Sequence, residues 1–396
     1  MRILISGAGI AGPTLAYWLL QYGFEVTIVE TARDLRTGGY VIDFWGAAYD
    51  IAGRMGVLPE IERRGYMVEE VRVVNRGGKR IAGFPASVFT RATGGRYISI
   101  PRSALAEVIY RTIEDGVEVI FGDSIHAIEQ AANSVRVSFE HAETREFDLV
   151  IGADGLHSRV RQLVFGPETK FEKYLGYKVA AFDVAGYRPR DELVYVMYPQ
   201  VGQQIARFSM RDDRTMFLFT FADELRDDAR TRQIQGQKAV LRERFENSGW
   251  ECPAILDALD SCDELYFDRV SQVRMEANEG LWSRNRVTLA GDAASCVSLL
   301  AGEGSGLAMI ASYILAGELH RCGGRYADAF ARYQERFGPF ILEKQNSAKR
   351  FAGIFAPKSR FSLFLNNQVM NLLTIGWVAR LAAGRAFLDN IELPEY

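Results

Sequence analysis

RILISGAGIAGPTLAYWLLQYGFEVTIVE, from Arg2 to Glu30, decides the fold. Arg2 to Ser6 is a short apolar strand, and Gly7, Gly9 and Gly12 follow in the spacing G-x-G-x-x-G. Pro13 to Gln21 carries Leu15, Trp18 and Leu19 on a helical period. Gly23 ends that helix, and Phe24 to Val29 reads as a second strand closing on Glu30. A strand, a glycine turn and a helix N-terminus form an anion site from backbone amides and the helix dipole. The glycines permit a tight turn and close approach of a pyrophosphate. A carboxylate at the end of the second strand accepts from a ribose 2′-OH. The pattern predicts a dinucleotide-binding βαβ unit, and Glu30 in place of a cation favours an unphosphorylated adenosine ribose, hence FAD or NAD.

Two later stretches have the same grammar. In GDAASCVSLLAGEGSG, Gly291 to Gly306, an acid (Asp292) stands at the end of the strand-like RVTLA. A glycine-rich turn and the apolar run LAMIASYILAGEL follow. In DLVIGADGLHSRVRQLVFG, Asp148 to Gly166, Asp154 sits beside Gly155 at a strand end, before a short helix from Ser158 to Leu163. That acid suits a second contact with the same nucleotide. Between these stretches, Tyr40 to Phe44 reads as a strand and Ala47 to Met55 as a helix. Spacing leaves Arg36 and Asp43 open between surface charges and site residues. Arg102 opens a helix after Pro101; a cation is unfavourable there, so it faces water or meets an anion.

Residues 66–100 and 171–265 are different in kind. They alternate apolar and polar residues between turn signals, with aromatics at Phe182, Tyr195, Tyr198, Phe208, Phe217, Phe219 and Phe221. Within 171–265 no helix joins the strands, which predicts an antiparallel sheet there, while 66–100 read as β-rich with a hairpin turn at Gly77–Gly78. Its aromatics fit either a flat apolar substrate or a packed sheet core. DELRDDARTRQIQGQKAVLRERFENSGW reads as a charged helix. Near the end, Val369, Leu372, Leu373, Trp377 and Leu381 fall at helical spacing, either packed on the body or closing a substrate cavity.

Bulk properties exclude several classes. The 396 residues carry a net charge of -3 with no basic run, which argues against a nucleic-acid partner. The four cysteines form no CxxC pair and there are only four histidines, so no metal site is expected; the cysteines read as reduced core residues of a cytoplasmic protein. No signal peptide is read at the start. The uncharged stretch FSLFLNNQVMNLLTIGWVA is broken by Asn366, Asn367, Gln368 and Asn371, so it reads as an amphipathic helix and not a membrane span.

GAGIAG, GADG and AGDAA stand in fixed order along the chain. In this the sequence resembles the class A flavoprotein monooxygenases of the p-hydroxybenzoate hydroxylase fold, over nearly its whole length. RTGGYVIDFWG, WSRNRVTLAGDAASC and SYILAGEL are most similar to the tetracycline-inactivating subgroup. The resemblance implies an α/β architecture: a Rossmann-like FAD-binding domain (1–72, 97–170, 266–345), an interleaved β-rich substrate domain (73–96, 171–265), and a C-terminal helical segment (346–396) over the substrate cavity.

It also implies cofactor-binding roles. Gly7, Gly9, Ala11, Gly12 and Glu30 hold the ADP half of FAD, and Arg36 counts among the cofactor residues. Asp43 and Arg102 lie near the flavin, Asp154 contacts FAD and is linked to NAD(P)H use, and Asp292 binds the ribityl and pyrophosphate region. Leu300, Gly302 and Gly304 bring backbone amides to the pyrimidine side of the ring.

The implied activity is an FAD-dependent monooxygenase with NAD(P)H as transient co-substrate. With O2, through a flavin C4a-(hydro)peroxide, it oxygenates a hydrophobic aromatic or polycyclic, polyketide- or antibiotic-like molecule. The expected state is a monomer or homodimer. No separate catalytic His/Ser/Asp set or metal is expected, because the cofactor carries the chemistry. The chain departs from the family pattern at Leu299, often Pro, at Glu303, often Gln, and at Gly306, often a polar residue. A carboxylate at 303 would oppose flavin reduction unless it points away. The departures leave two other readings open: an FAD-retaining, non-redox cyclase or isomerase of a polyketide-like substrate, and a protein that sequesters a small molecule.

Overall fold

The computed structural model describes residues 1–35, 40–374 and 391–396. Four parallel pairings build the nucleotide sheet, in the order Glu118–Phe121, Glu25–Glu30, Arg2–Ser6, Leu149–Gly152, Val287–Leu289, with Ser283–Arg284 antiparallel at the edge. Ile3, Leu4, Ile5, Leu149, Val150 and Ile151 are fully buried, as expected for central parallel strands covered on both faces. The chain leaves Arg2–Ser6 to form a neighbour on one side and later returns to the other. This makes the strand's carboxyl end a topological switch point, where open α/β sheets bind ligands.

The first helix, Ala11–Gln21, begins two residues earlier than the apolar period predicts. Its approach to the first strand requires glycine. A Cβ on Gly12 would lie 1.9 Å from the Gly7 carbonyl oxygen, and one on Gly7, at φ +107°, would lie 2.6 Å from the Ala153 carbonyl oxygen. The helix Gly304–Arg321 packs beside it within the same core.

The second sheet has seven strands in the order Tyr266–Val273, Glu172–Ala185, Arg214–Ala222, Gln203–Ser209, Val194–Gln200, Glu70–Val74, Arg80–Pro85. The strands drawn from residues 171–265 pair antiparallel as expected, and the parallel pairing of Val194–Gln200 with Glu70–Val74 joins them to the earlier β-rich stretch. The chain between them passes through the nucleotide sheet, so the two strands do not meet through a hairpin. Glu70–Val74 also spans residue 72, where the sequence reading sets a boundary.

Alternation divides the aromatics between the two faces of this sheet. Phe182, Tyr198, Phe217, Phe219 and Phe221 pack outward against the helices Ile234–Phe245 and Cys252–Asp260. Tyr195 and Phe208 face the other way, toward Tyr40 and Val41. Five of the seven are therefore sheet core.

The charged stretch after residue 222 is less helical than its composition predicts. Asp223 accepts from the Leu225 amide at 3.0 Å and Asp228 from the Arg230 amide at 2.9 Å. Such local side-chain bonds compete with the helix, which starts only at Ile234.

A 30-residue helix, Tyr326–Phe355, crosses the nucleotide domain. Arg360–Leu372 follows, opened by a capping box of Ser359 and Ser362, and Met370 packs on Phe84 of the β-rich sheet's edge strand and Val88 of the helix Ser87–Ala92. Trp377 and Leu381 lie outside the described residues. Residues 391–396 return to the nucleotide domain, where the Tyr396 hydroxyl donates to Glu318 Oε1 at 2.8 Å. No helix among the described residues is long and apolar enough to cross a membrane. No cluster of His, Cys, Asp or Glu among them is placed to hold a metal.

Candidate functional site

A cleft of about 340 Å³ opens at the carboxyl ends of the parallel strands. It brings together Gly7, Gly9, Ala11, Glu30, Arg102, Asp154, Asp292, Gly302 and Gly304. Gly12 sits behind the lining, at the helix–strand contact described above. Arg36 lies outside the described residues.

At one end, Glu30 Oε2 accepts from the Ala8 amide at 2.7 Å and Oε1 from the Ala32 amide at 2.9 Å. These bonds orient the carboxylate at the mouth of the glycine turn. A Cβ on Gly9 would meet nothing closer than Arg102 Nη2 at 3.7 Å, so this glycine presents bare backbone to the cleft. Among the described residues the Arg102 side chain makes no hydrogen bond or ion pair. An unpaired guanidinium beside a helix N-terminus is a strong anion site. The donor set fits a dinucleotide diphosphate with an adenosine ribose at Glu30.

Asp292 opens the short helix Asp292–Ser295, and its two carboxylate oxygens lie 3.8 Å from where a Cβ on Gly304 would be. It therefore faces the start of Gly304–Arg321. Burial raises its carboxyl above the usual range, and nearby Arg102 and the Cys296 thiol pull it back. A carboxylate that makes no salt bridge among the described residues fits the hydroxyls of a polyol chain.

Asp154 lines the cleft but spends its side chain on the protein. It accepts from Ser158 Oγ at 2.5 Å, Ser6 Oγ at 3.3 Å, and the amides of Arg159 and Val160 at 2.8 and 3.0 Å. This holds the 153–158 turn, and leaves backbone at Ala153–Gly155 as the surface offered to a ligand.

His157 also lines the cleft, and nothing in the motif spacing marks it. Nε2 lies 3.2 Å from Asp268 and Nδ1 2.6 Å from Glu168. The two carboxylates, Asp268 first, raise the imidazole from 6.5 to about 9. A raised folded-state value means the contacts stabilise fully below pH 6.5, and that contribution is lost as pH rises to about 9. The melting temperature is expected to fall across that window, and less so in His157→Gln. Equal slopes in both proteins would remove this role.

The loop ahead of Gly304 divides in two. Leu299, Gly302 and Gly304 line the cleft. Leu300 turns away to pack with Tyr177, Val179 and Val270, and its amide donates to Ser298 Oγ at 3.2 Å. Asp43 is also set apart. Tyr40 and Ile42 face the cleft, and strand alternation sends Asp43 and Trp45 to a small neighbouring pocket shared with Glu303 and Gly306. Asp43 Oδ1 accepts from Ser99 Oγ at 2.6 Å and the Tyr97 hydroxyl at 2.7 Å, and burial raises its carboxyl. The negative charge of Glu303 is met inside the protein, with Lys344 Nζ 2.9 Å from its carboxylate.

Residues 1–322 match the model of the FAD binding domain family. A flavin-dependent monooxygenase of Legionella longbeachae is 31% identical over 400 residues, covering 100% of this chain and 98% of its own. An uncharacterized protein of Mycobacterium tuberculosis is 38% identical over 348 residues, covering 87% and 91%. The crystal structure of tetracycline destructase Tet(51) superposes with a TM-score of 0.84 at 31% identity, covering 100% and 99%.

Proposed function

The chain belongs to the FAD-binding class A flavoprotein monooxygenases, and we propose that it uses NAD(P)H and O2 to oxygenate a hydrophobic aromatic or polycyclic molecule of polyketide or antibiotic type. The observation that carries this reading is the one cleft that gathers bare glycine backbone, Glu30, Asp292 and an Arg102 unpaired among the described residues at the switch point of the sheet. Gly7, Gly9 and Ala11 would hold the diphosphate on amides, and Glu30 the adenosine ribose. Arg102 balances anionic charge, and Asp292 accepts from ribityl hydroxyls. Gly302 and Gly304 would offer amides to the ring end. Asp154 acts by fixing the 153–158 turn, whose backbone meets the cofactor.

FAD, when bound, supplies two-electron exchange with NAD(P)H and activation of O2 toward the substrate. The protein's part is to orient that group and keep water from it. Tyr40, Ile42 and Leu299 form an apolar wall of the cleft suited to water exclusion. Tyr195, Phe208 and Met216 pack behind Val41 on the inner sheet face, which supports a flat apolar substrate. The likeness to a tetracycline destructase supports the same class. Four free, buried cysteines support work in the reducing cytoplasm. The test is oxygen incorporation into a panel of polycyclic phenols with either reduced nicotinamide; turnover without a gain of oxygen would sink the reading.

A further inference from the structure

The helix Arg360–Leu372 is amphipathic with its faces reversed. Phe361, Leu365, Val369 and Leu372 recur at the helical period and Phe364 lies beside them, yet all five are between 47% and 74% exposed. Asn366, Asn367 and Asn371 are half-buried instead, and Asn371 Nδ2 donates to the Ile81 carbonyl at 3.5 Å. The side that meets the body is held by Met370 and Leu373 against Phe84 and Val88. Single exposed apolar side chains are ordinary. Five along one helix face form a contiguous patch of the kind that marks an interaction surface.

Charge decides which partner fits. The segment from Lys358 to Thr374 carries two cations, Lys358 and Arg360, and no acid. Both cations are exposed and neither makes a salt bridge among the described residues. They stand together at the start of the apolar face, in a chain whose net charge is -3. A second copy packed on this face through a two-fold axis would set two cationic segments against each other with no acid between them. An anionic lipid surface suits both parts. The phenylalanine and leucine side chains enter the boundary between headgroups and acyl chains, and the cations meet the phosphates, as in an interfacial helix.

We propose that Arg360–Leu372 docks the protein on an anionic lipid surface through Phe361, Phe364, Leu365, Val369 and Leu372, lying on that surface without crossing it. The docking goes beyond the reaction proposed above and does not depend on it.

The experiment is sedimentation of the holoenzyme with vesicles of phosphatidylcholine alone and of phosphatidylcholine mixed with phosphatidylglycerol, read by flavin absorbance and protein stain. Binding to the mixed vesicles is expected, and to the neutral ones about tenfold less. Lys358→Gln with Arg360→Gln is expected to bring the mixed vesicles down to the neutral level. Phe361→Ser with Phe364→Ser is expected to lower binding to the mixed vesicles about tenfold. These side chains are exposed, so melting temperature and flavin content should match the parent. If the double phenylalanine variant does not fold, Phe361→Ser alone, at the most exposed position, decides. No binding to either vesicle overturns the proposal, as does binding that the phenylalanine variants leave intact, which would be charge attraction elsewhere on the surface. A dimer that forms without lipid, fails to bind vesicles and is lost in the phenylalanine variants also overturns it, and gives the face to a second copy of the chain.

Discussion

Gly12→Ala is expected to leave the protein without FAD and with a lower melting temperature. The added methyl would sit 1.9 Å from the Gly7 carbonyl oxygen and 3.1 Å from its carbon. Both are backbone atoms, so no side-chain rotation relieves the clash. The helix Ala11–Gln21 must move off the strand Arg2–Ser6, and the helix N-terminus that faces the cleft moves with it. Overpacking of a core typically costs about 1–3 kcal/mol, a large part of a total stability of about 5–15 kcal/mol. Gly9→Ala is the control. Its new Cβ meets only Arg102 Nη2, at 3.7 Å, so the apo-protein is expected to melt normally while its FAD affinity drops. The ratio of flavin to protein absorbance, with melting curves of both apo-proteins, checks the pair. A Gly12→Ala protein that purifies fully yellow would show that the helix does not have to sit where it does.

Asp292→Ala is expected to weaken FAD binding roughly 10- to 100-fold, the loss of a hydrogen bond to a charged acceptor at about 1.5–3 kcal/mol. The apo-protein should behave differently. Asp292 has no salt bridge among the described residues, and burial raises its carboxyl. Its removal relieves an unfavourable buried charge, so the melting temperature of the apo form is expected to stay level or rise. Function held at a cost to stability is common at sites of this kind. Fluorescence titration of apo-protein with FAD measures the affinity. Full retention of FAD by the variant would take Asp292 out of the site.

The nucleotide half of the fold was legible because its signals are local. Gly7, Gly9, Gly12 and Glu30 belong to one strand–turn–helix–strand unit, and each glycine sits where the chain approaches itself or the cleft. Contacts across long sequence separations were not legible. Nothing in the spacing pairs Lys344 with Glu303, or His157 with Asp268. Where Asp43 lies depends on which face of the strand is inward, and alternation turns Ile42 toward the main cleft and Asp43 toward the small pocket beside it. Leu300 illustrates the same limit. In a turn of adjacent leucines the pattern does not tell which one is buried beside Val270; the structure buries Leu300 there, while Leu299, half-buried against the same cluster, also lines the cleft. The aromatic content of the β-rich block read equally as core or as substrate wall until the outer helices Ile234–Phe245 and Cys252–Asp260 were in place. Asp154 was recognisable as a site residue, but its capture by Ser158 and two amides required the three-dimensional turn.

A chain that transfers oxygen, as proposed, differs from one that merely carries a flavin in the mass of its product. The most direct measurement is product mass after incubation with reduced nicotinamide, labelled O2 and a polycyclic phenol panel. Bleaching of the flavin band in single turnover and a product carrying one labelled oxygen atom are expected. An unbleached flavin with a rearranged product of unchanged mass would contradict it, and would identify a non-redox cyclase or isomerase built on the same cleft.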